Sequence, residues 1–227
     1  MARGTKPGRR PPVTVRSGPS IGTVIGVVLV VLFAGAVGVG VYLTQRSAGD
    51  VVVPPGATAS GVVVGPETAP TTLDVYLDFQ CPACQAYEQQ SGSTIEELVD
   101  SGAARVVYHP VAYLDRFSGT EYSTRSSAAS GCAAEAGVFP QYLDLLFANQ
   151  PPEGGDGLTQ DTLIALGEQA GAGPDFATCV AEDRYTAWTA ALTDEASRAG
   201  ITSTPTVLAD GVEIARTDDA LRAAVAG

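Results

Sequence analysis

The chain has 227 residues, with 25 acidic side chains against 13 basic ones and a single histidine, a formal charge of −12 at pH 7. The charge is divided: residues 1–20 carry five cations and no acid, whereas everything from Arg46 onward holds all 25 acids against eight arginines. An acidic body of that kind excludes nucleic-acid binding and docking on anionic lipid, both of which need clustered cations.

In chain order, residues 1–20 are rich in Pro, Gly and Arg, show no apolar period, and read as a disordered cytoplasmic basic tail. Residues 21–43 are almost wholly apolar. A helix of that length is about 34 Å long, enough to cross a hydrocarbon core of about 30 Å. Arg3, Lys6, Arg9, Arg10 and Arg16 precede it and only Arg46 flanks it behind. The positive-inside rule then keeps the N-terminus in the cytoplasm and sends the following domain outside, on a single-pass anchor in the cell membrane. A cleaved signal peptide is the alternative; the long basic lead and the length of the apolar run argue against it.

Residues 44–59 read as a linker and 60–227 as one globular domain, large enough for a single core. A short strand is expected at 62–64, a turn at 65–67 and a second strand over 72–79. A helix from 82 to about 101 stops at Gly102, and a buried strand follows over 104–108. The pattern then turns helical, at 124–136, 140–148, 159–171, 174–182 and 184–199, with a Pro/Gly loop at 150–157. Thr159 and Asp175 offer N-caps. Strand signals return at 206–209, Asp210-Gly211 makes a hairpin turn into 212–215, and a helix over 218–225 closes the chain. Tyr142, Phe147, Phe176, Tyr185 and Trp188 read as core of the helical block. The predicted class is α/β: a small sheet unit interrupted by helices over about 115–200.

The chemistry-bearing motif is Cys81-Pro82-Ala83-Cys84, at the junction of the second strand and its helix. A thiol at a helix start faces free backbone N–H groups and the positive end of the helix dipole, and both favour the thiolate. A free thiol near pKa 8.5 is only about 3% ionised at pH 7, whereas one lowered to about 5 is about 99% ionised. Pro82 is pre-shaped for the first helical position. Cys81 is then the attacking thiol and Cys84, one turn on, the resolving thiol of a thiol–disulfide oxidoreductase. A structural bridge and half a metal site are the competing readings. Zinc asks for four ligands, and beyond this pair only Cys132, Cys179 and His109 remain, with no Cys/His cluster, so no metal is expected.

Three features together resemble the thioredoxin superfamily, and within it DsbA-like proteins, including membrane-anchored actinobacterial ones. They are Asp78-Phe79-Gln80-Cys81-Pro82-Ala83-Cys84 at a strand-to-helix junction, Thr202-Ser203-Thr204-Pro205-Thr206-Val207 opening a strand, and the helical insertion between them. The resemblance spans about residues 60–227. It implies a thioredoxin-like fold in which Pro205 is cis and Thr204 presents its backbone to an extended substrate beside Cys81. It also implies dithiol–disulfide exchange on exported cysteine-containing proteins, with a membrane redox partner that recycles the pair and no metal or soluble cofactor. An oxidase is the leading expectation; a reductase, an isomerase or a non-catalytic binding module of the same fold are the alternatives. Pro82 and Ala83 help set the potential, within a family span of about 150 mV, or about 7 kcal/mol. Lacking a histidine donor between the cysteines, the pair is expected to be intermediate but oxidising.

Many thioredoxin-like proteins carry a buried acid six residues before the first cysteine; here that position is Val75. Asp78 is the substitute candidate for a proton relay, against a reading as a capping or solvated acid. His109 is a second relay candidate, against a structural histidine. Cys132 and Cys179, 47 residues apart in the helical block, are expected to pair in an oxidising compartment. In the chain-entropy picture that closure stabilises the fold by about 4 kcal/mol.

Overall fold

The computed structural model describes residues 21–47 and 51–226; the expected basic tail (1–20) and positions 48–50 of the linker lie outside the described residues. The chain divides into two compact units, Met1–Gly49 and Asp50–Gly227. In the first, helix α1 (Ile21–Ser47) runs for 27 residues through the apolar stretch, with Leu29, Val30 and Phe33 exposed. Among the described residues no helix is long and apolar enough to cross a membrane; several side chains of α1 lie outside that description.

The second unit is built on one sheet of β1 (Val62–Val64), β2 (Thr71–Leu77), β3 (Ala104–Pro110), β4 (Thr206–Ala209) and β5 (Val212–Glu213), in the order β1-β3-β2-β4-β5. Central β2 runs parallel to β3, with Leu73 opposite Val106, and antiparallel to β4, with Val75 opposite Val207. A parallel pair needs a crossover, and α2 (Pro82–Asp100) supplies it. Alternation along β2 puts Leu73, Val75 and Leu77 in the core and leaves Thr72, Asp74 and Tyr76 half-buried on the other face. The strand ends two residues before the expected 79. There the Asp78 carboxylate takes the Gln80 N–H at 2.8 Å, an Asx turn that competes with the ladder. At the opposite edge β5 covers only two of the four expected residues; Val212 is exposed there.

Beside α2 lies α8 (Asp218–Val225), held by Ser91 Oγ donating to Asp218 Oδ1 at 2.7 Å and by the Arg222–Glu97 ion pair. The helical block comprises α3 (Tyr122–Glu135), α4 (Phe139–Ala148), α5 (Gln160–Gln169), α6 (Asp175–Ala181) and α7 (Thr186–Arg198). Thr159 caps α5 by accepting from the Thr162 N–H at 3.2 Å, whereas Asp175 is the first helical residue of α6 rather than its cap. Helix α3 is buried almost all round. Its serines 123, 126, 127 and 130 are fully enclosed; Ser126 and Ser130 return their hydroxyls to carbonyls of the same helix, and Ser127 donates to Pro110 O at the end of β3. Small side chains thus let α3 sit enclosed among α4, α6 and α7 while each of these hydroxyls keeps a partner. Trp188 is fully buried and its indole N–H donates to Thr58 O at 3.0 Å, tying residues before β1 to α7. Tyr142 and Phe176 meet edge-to-face at 5.4 Å within the core that also takes in Phe147 and Tyr185.

Cys132 of α3 and Cys179 of α6 are disulfide-bonded, with Cα atoms 5.9 Å apart. Replacing both by Ala is expected to cost about 2–4 kcal/mol, a fall in Tm of about 5–15 °C for a domain of this size. Thermal unfolding followed by circular dichroism checks it, and an unchanged Tm would remove the bridge as a stabilising element.

Candidate active site

Cys81 occupies the N-cap of α2 with extended backbone (φ −79°, ψ 115°), and Pro82 stands in the first turn. Proline sacrifices no hydrogen bond there. The turn is closed by the Cys81 N–H on Asp78 O at 2.9 Å and the Cys84 N–H on Cys81 O at 3.0 Å. Both cysteines are free thiols; Cys81 is 7% exposed and Cys84 1%. Across from them the Thr204–Pro205 peptide bond is cis, and the Cys81 thiol donates to the Thr204 carbonyl at 3.4 Å. A cleft of about 440 Å³ opens over Cys81, bordered by Tyr113, Arg116, Glu153 and Thr202.

The electrostatics split the pair. A hydrogen bond from Cys84 is the largest influence on the Cys81 thiol; burial opposes it, a side-chain hydrogen bond from Thr204 and the amides of Cys84 and Ala83 add to it, and the thiol is lowered to about 6. The helix-start amides therefore act together with the neighbouring thiol and the Thr204 side chain. The physical reason for the thiol's part lies in Cys84. Burial pushes its thiol well above the ordinary value and so keeps its proton in place as a donor to Cys81. A group titrating near 6 is roughly nine-tenths ionised at pH 7.

Thr204 acts in two senses. Its carbonyl accepts from the protonated thiol, whereas its side chain lowers the thiol's pKa. Thr204→Val is expected to lose the second effect, raising the thiolate pKa by about one unit and making the disulfide less oxidising by about 30 mV. Equilibration with glutathione measures the potential; an unchanged value removes Thr204 from the tuning set.

Asp78 lies beneath the motif with no exposure. Its Oδ1 accepts from Gln80 N at 2.8 Å and Ser123 Oγ at 2.7 Å, its Oδ2 from Leu114 N at 3.0 Å. It is neither solvated nor the cap of α2. Burial raises its pKa, the three hydrogen bonds oppose that, and the Cys81 charge adds to the rise, leaving it at about 6. His109 is not brought to the cysteines. Its Nε2 lies 2.9 Å from Asp74 Oδ1 and its ring stacks on Tyr76 at 4.0 Å. That pairing follows from the β2–β3 register, which sets Tyr76 opposite His109, and it corrects the relay expectation for this residue. Among the described residues no group of three or more His, Cys, Asp or Glu side chains gathers as a metal site.

Residues that the sequence did not single out complete the arrangement. Gln150, from the loop after α4, donates its amide to both Phe79 O and Cys81 O at 3.0 Å, so the insertion pins the carbonyl of the attacking cysteine. Gln80 is fully buried and its Nε2 donates to Leu114 O at 2.8 Å, while its Oε1 has no partner. The Asp78-x-Gln80 spacing of an Asx turn was the available signal for one of these contacts; nothing local in the sequence marks Gln150 or Ser123.

A mixed five-stranded sheet with a free, unequally acidic cysteine pair at the head of α2, opposite a cis-proline, defines a thioredoxin-type redox domain. The sequence profile described as Thioredoxin matches residues 57–226, and the chain belongs to the thioredoxin family. Within it the chain is DsbA-like. Reduced DsbA from Mycobacterium tuberculosis superposes with a TM-score of 0.63 at 30% identity, over 74% of this chain and 88% of that one. The disulfide bond oxidoreductase DsbG from the same organism gives 0.63 at 31% identity, over 78% and 90%. Among curated proteins, the serine/threonine-protein kinase PknE of M. tuberculosis H37Rv is 32% identical over 155 residues, 64% of this chain and 27% of that protein. The chain thus spans about a quarter of the length of that curated relative.

Proposed function

We propose that the chain is a protein disulfide oxidoreductase, an oxidase that donates the Cys81–Cys84 disulfide to exported cysteine-containing proteins. The observation that carries the reading is the division of acidity between the two thiols, Cys81 lowered to about 6 and Cys84 pushed well above the ordinary value. A substrate thiolate attacks the Cys81 sulfur, the bond to Cys84 breaks, and Cys84 leaves and takes a proton. The substrate's second thiolate then attacks its own sulfur of the mixed disulfide and releases Cys81 as thiolate. The substrate loses two electrons and the pair gains them; a membrane partner with an oxidising disulfide or quinone takes them away again. Because Cys81 leaves as a stabilised anion, the second step is favoured in the direction of substrate oxidation. Thr204 and Pro205 line the substrate's approach. Asp78 exchanges the proton of Cys84, giving it when Cys84 leaves and accepting it when Cys84 next attacks.

The anchor belongs to the same proposal. The uncharged run over 21–43, the helix formed there and the basic residues before it support a single-pass, N-in membrane protein with the redox domain outside the cytoplasm. Oxidative refolding of reduced RNase by the full-length chain in mild detergent, with its potential set against glutathione, tests the function. Accelerated refolding and a potential above thioredoxin's, about −270 mV, are expected. A lower potential would assign a reductase, and absence of exchange would assign a binding module.

A further inference from the structure

A second concavity lies along α2, between it and α4, with a volume of about 530 Å³. Four acids border it, Glu88, Glu96, Asp100 and Asp144, and no Lys, Arg or His does. Among the described residues none of the four forms a hydrogen bond or ion pair, whereas Glu97 of α2 pairs with Arg222 and Asp218 of α8 accepts from Ser91.

Glu96, Asp100 and Asp144 are exposed and Glu88 is half-buried; three observations single out Glu88 within this acidic face. Gly92 stands one turn after Glu88 inside α2, where glycine costs about 1 kcal/mol relative to alanine. A Cβ at Gly92 would fall 2.2 Å from Glu88 Oε1, so the carboxylate rests over bare backbone there and would have to turn aside for any side chain. Tyr108, only 8% exposed, lines the same groove from β3, and its hydroxyl has no hydrogen-bond partner among the described residues. Finally, Glu88 is pushed up to about 7, first by burial and then by Asp144, while Asp144 is itself raised by burial and by Glu96. Each acid feels its neighbours because no cation neutralises them.

Beside the acids the lining includes the half-buried Val64 and Val99 and the exposed Pro140 and Ala148, over the buried Ile95, Leu143 and Phe147. We propose that this groove is a docking site for a basic polypeptide segment, taking an arginine or lysine side chain onto Glu88, Asp144 and the Tyr108 hydroxyl, with an adjacent apolar residue against Val64, Val99 and Pro140. Charge complementarity selects a cation, the carboxylates and the Tyr108 hydroxyl can accept from a guanidinium or ammonium group, and the apolar lining and the volume call for a chain rather than a bare ion. This site is separate from Cys81, and the proposal does not depend on disulfide exchange there.

The test uses the full-length oxidised chain in mild detergent and a fluorescein-labelled, cysteine-free pentapeptide alternating leucine and arginine, followed by anisotropy. The expected result is saturable binding that weakens at least tenfold when citrulline replaces arginine, and at least tenfold in the Glu88→Gln/Asp144→Asn double variant. Glu97→Gln, outside the groove, is expected to change nothing. A second readout guards against a folding defect: Glu88→Gln removes an unpaired, half-buried charge, so its Tm without peptide should stay the same or rise. No binding up to 1 mM, equal affinity for the citrulline peptide or for the double variant, tighter binding of spermidine than of the peptide, or a lowered Tm for Glu88→Gln would each overturn the proposal.

Discussion

Cys81→Ser is expected to abolish disulfide transfer, lowering the rate of RNase refolding to that of the uncatalysed control, because a serine hydroxyl cannot form the mixed disulfide. Cys84→Ser should behave differently. It retains an attacking sulfur, so it should accumulate a stable mixed disulfide with substrate that is visible on non-reducing gels. Cys84→Ala, which leaves no side-chain donor at that position, should shift the Cys81 pKa upward, since the hydrogen bond from Cys84 is the largest influence lowering it. Residual catalysis by Cys81→Ser, or an unchanged Cys81 titration in Cys84→Ala, would contradict the division of labour between the two sulfurs.

Asp78→Asn carries the second large effect and moves stability and turnover in opposite directions. The folded pKa of Asp78 lies at about 6, above its ordinary value of 3.8. A group raised on folding contributes its full stability below the unfolded pKa and loses it as pH rises through the folded one. At pH 7 to 8 the buried carboxylate is therefore a cost on the order of 2–3 kcal/mol. Asparagine removes that charge and keeps the bonds from Gln80 and Ser123, at the expense of the one from Leu114. A higher Tm at pH 8 is expected, with a gain that shrinks towards pH 4. Turnover should fall about 10²-fold, at the lower end of what a positioned proton-transfer group supplies. The attack of Cys84 on a mixed disulfide should also lose the part of its pH dependence that rises through about 6. A purely structural Asp78 would leave that profile intact.

The parts of the fold legible in the sequence were those written in local pattern. Alternation in 73–77, proline after the first cysteine, glycine at 102 and Asp210-Gly211 each dictate backbone in their own neighbourhood, and the elements fall there. The cis-proline opposite the cysteines came through resemblance, since an X-Pro bond alone is cis only about 5% of the time. Contacts between distant segments stayed hidden. The serines of α3 are buried because their small side chains suit a helix enclosed by other helices and bond to carbonyls of α3 itself and of Pro110. Ser123 meets Asp78 across 45 positions and Gln150 meets Cys81 across 69; no periodicity encodes either. Of the two readings left open for His109, the structure selects the structural one. Proximity in sequence to the end of β3 suggested the site, whereas the strand register assigns it to Tyr76 and Asp74.

The central claim is that Cys81 is held as thiolate by a buried, protonated neighbour. Thiolate absorbance at 240 nm, followed from pH 4 to 9 in the reduced full-length chain, tests it most directly. One thiolate should appear with a midpoint near 6, with no second transition below pH 9. A single midpoint near 8.5, the value of free cysteine, would contradict the account.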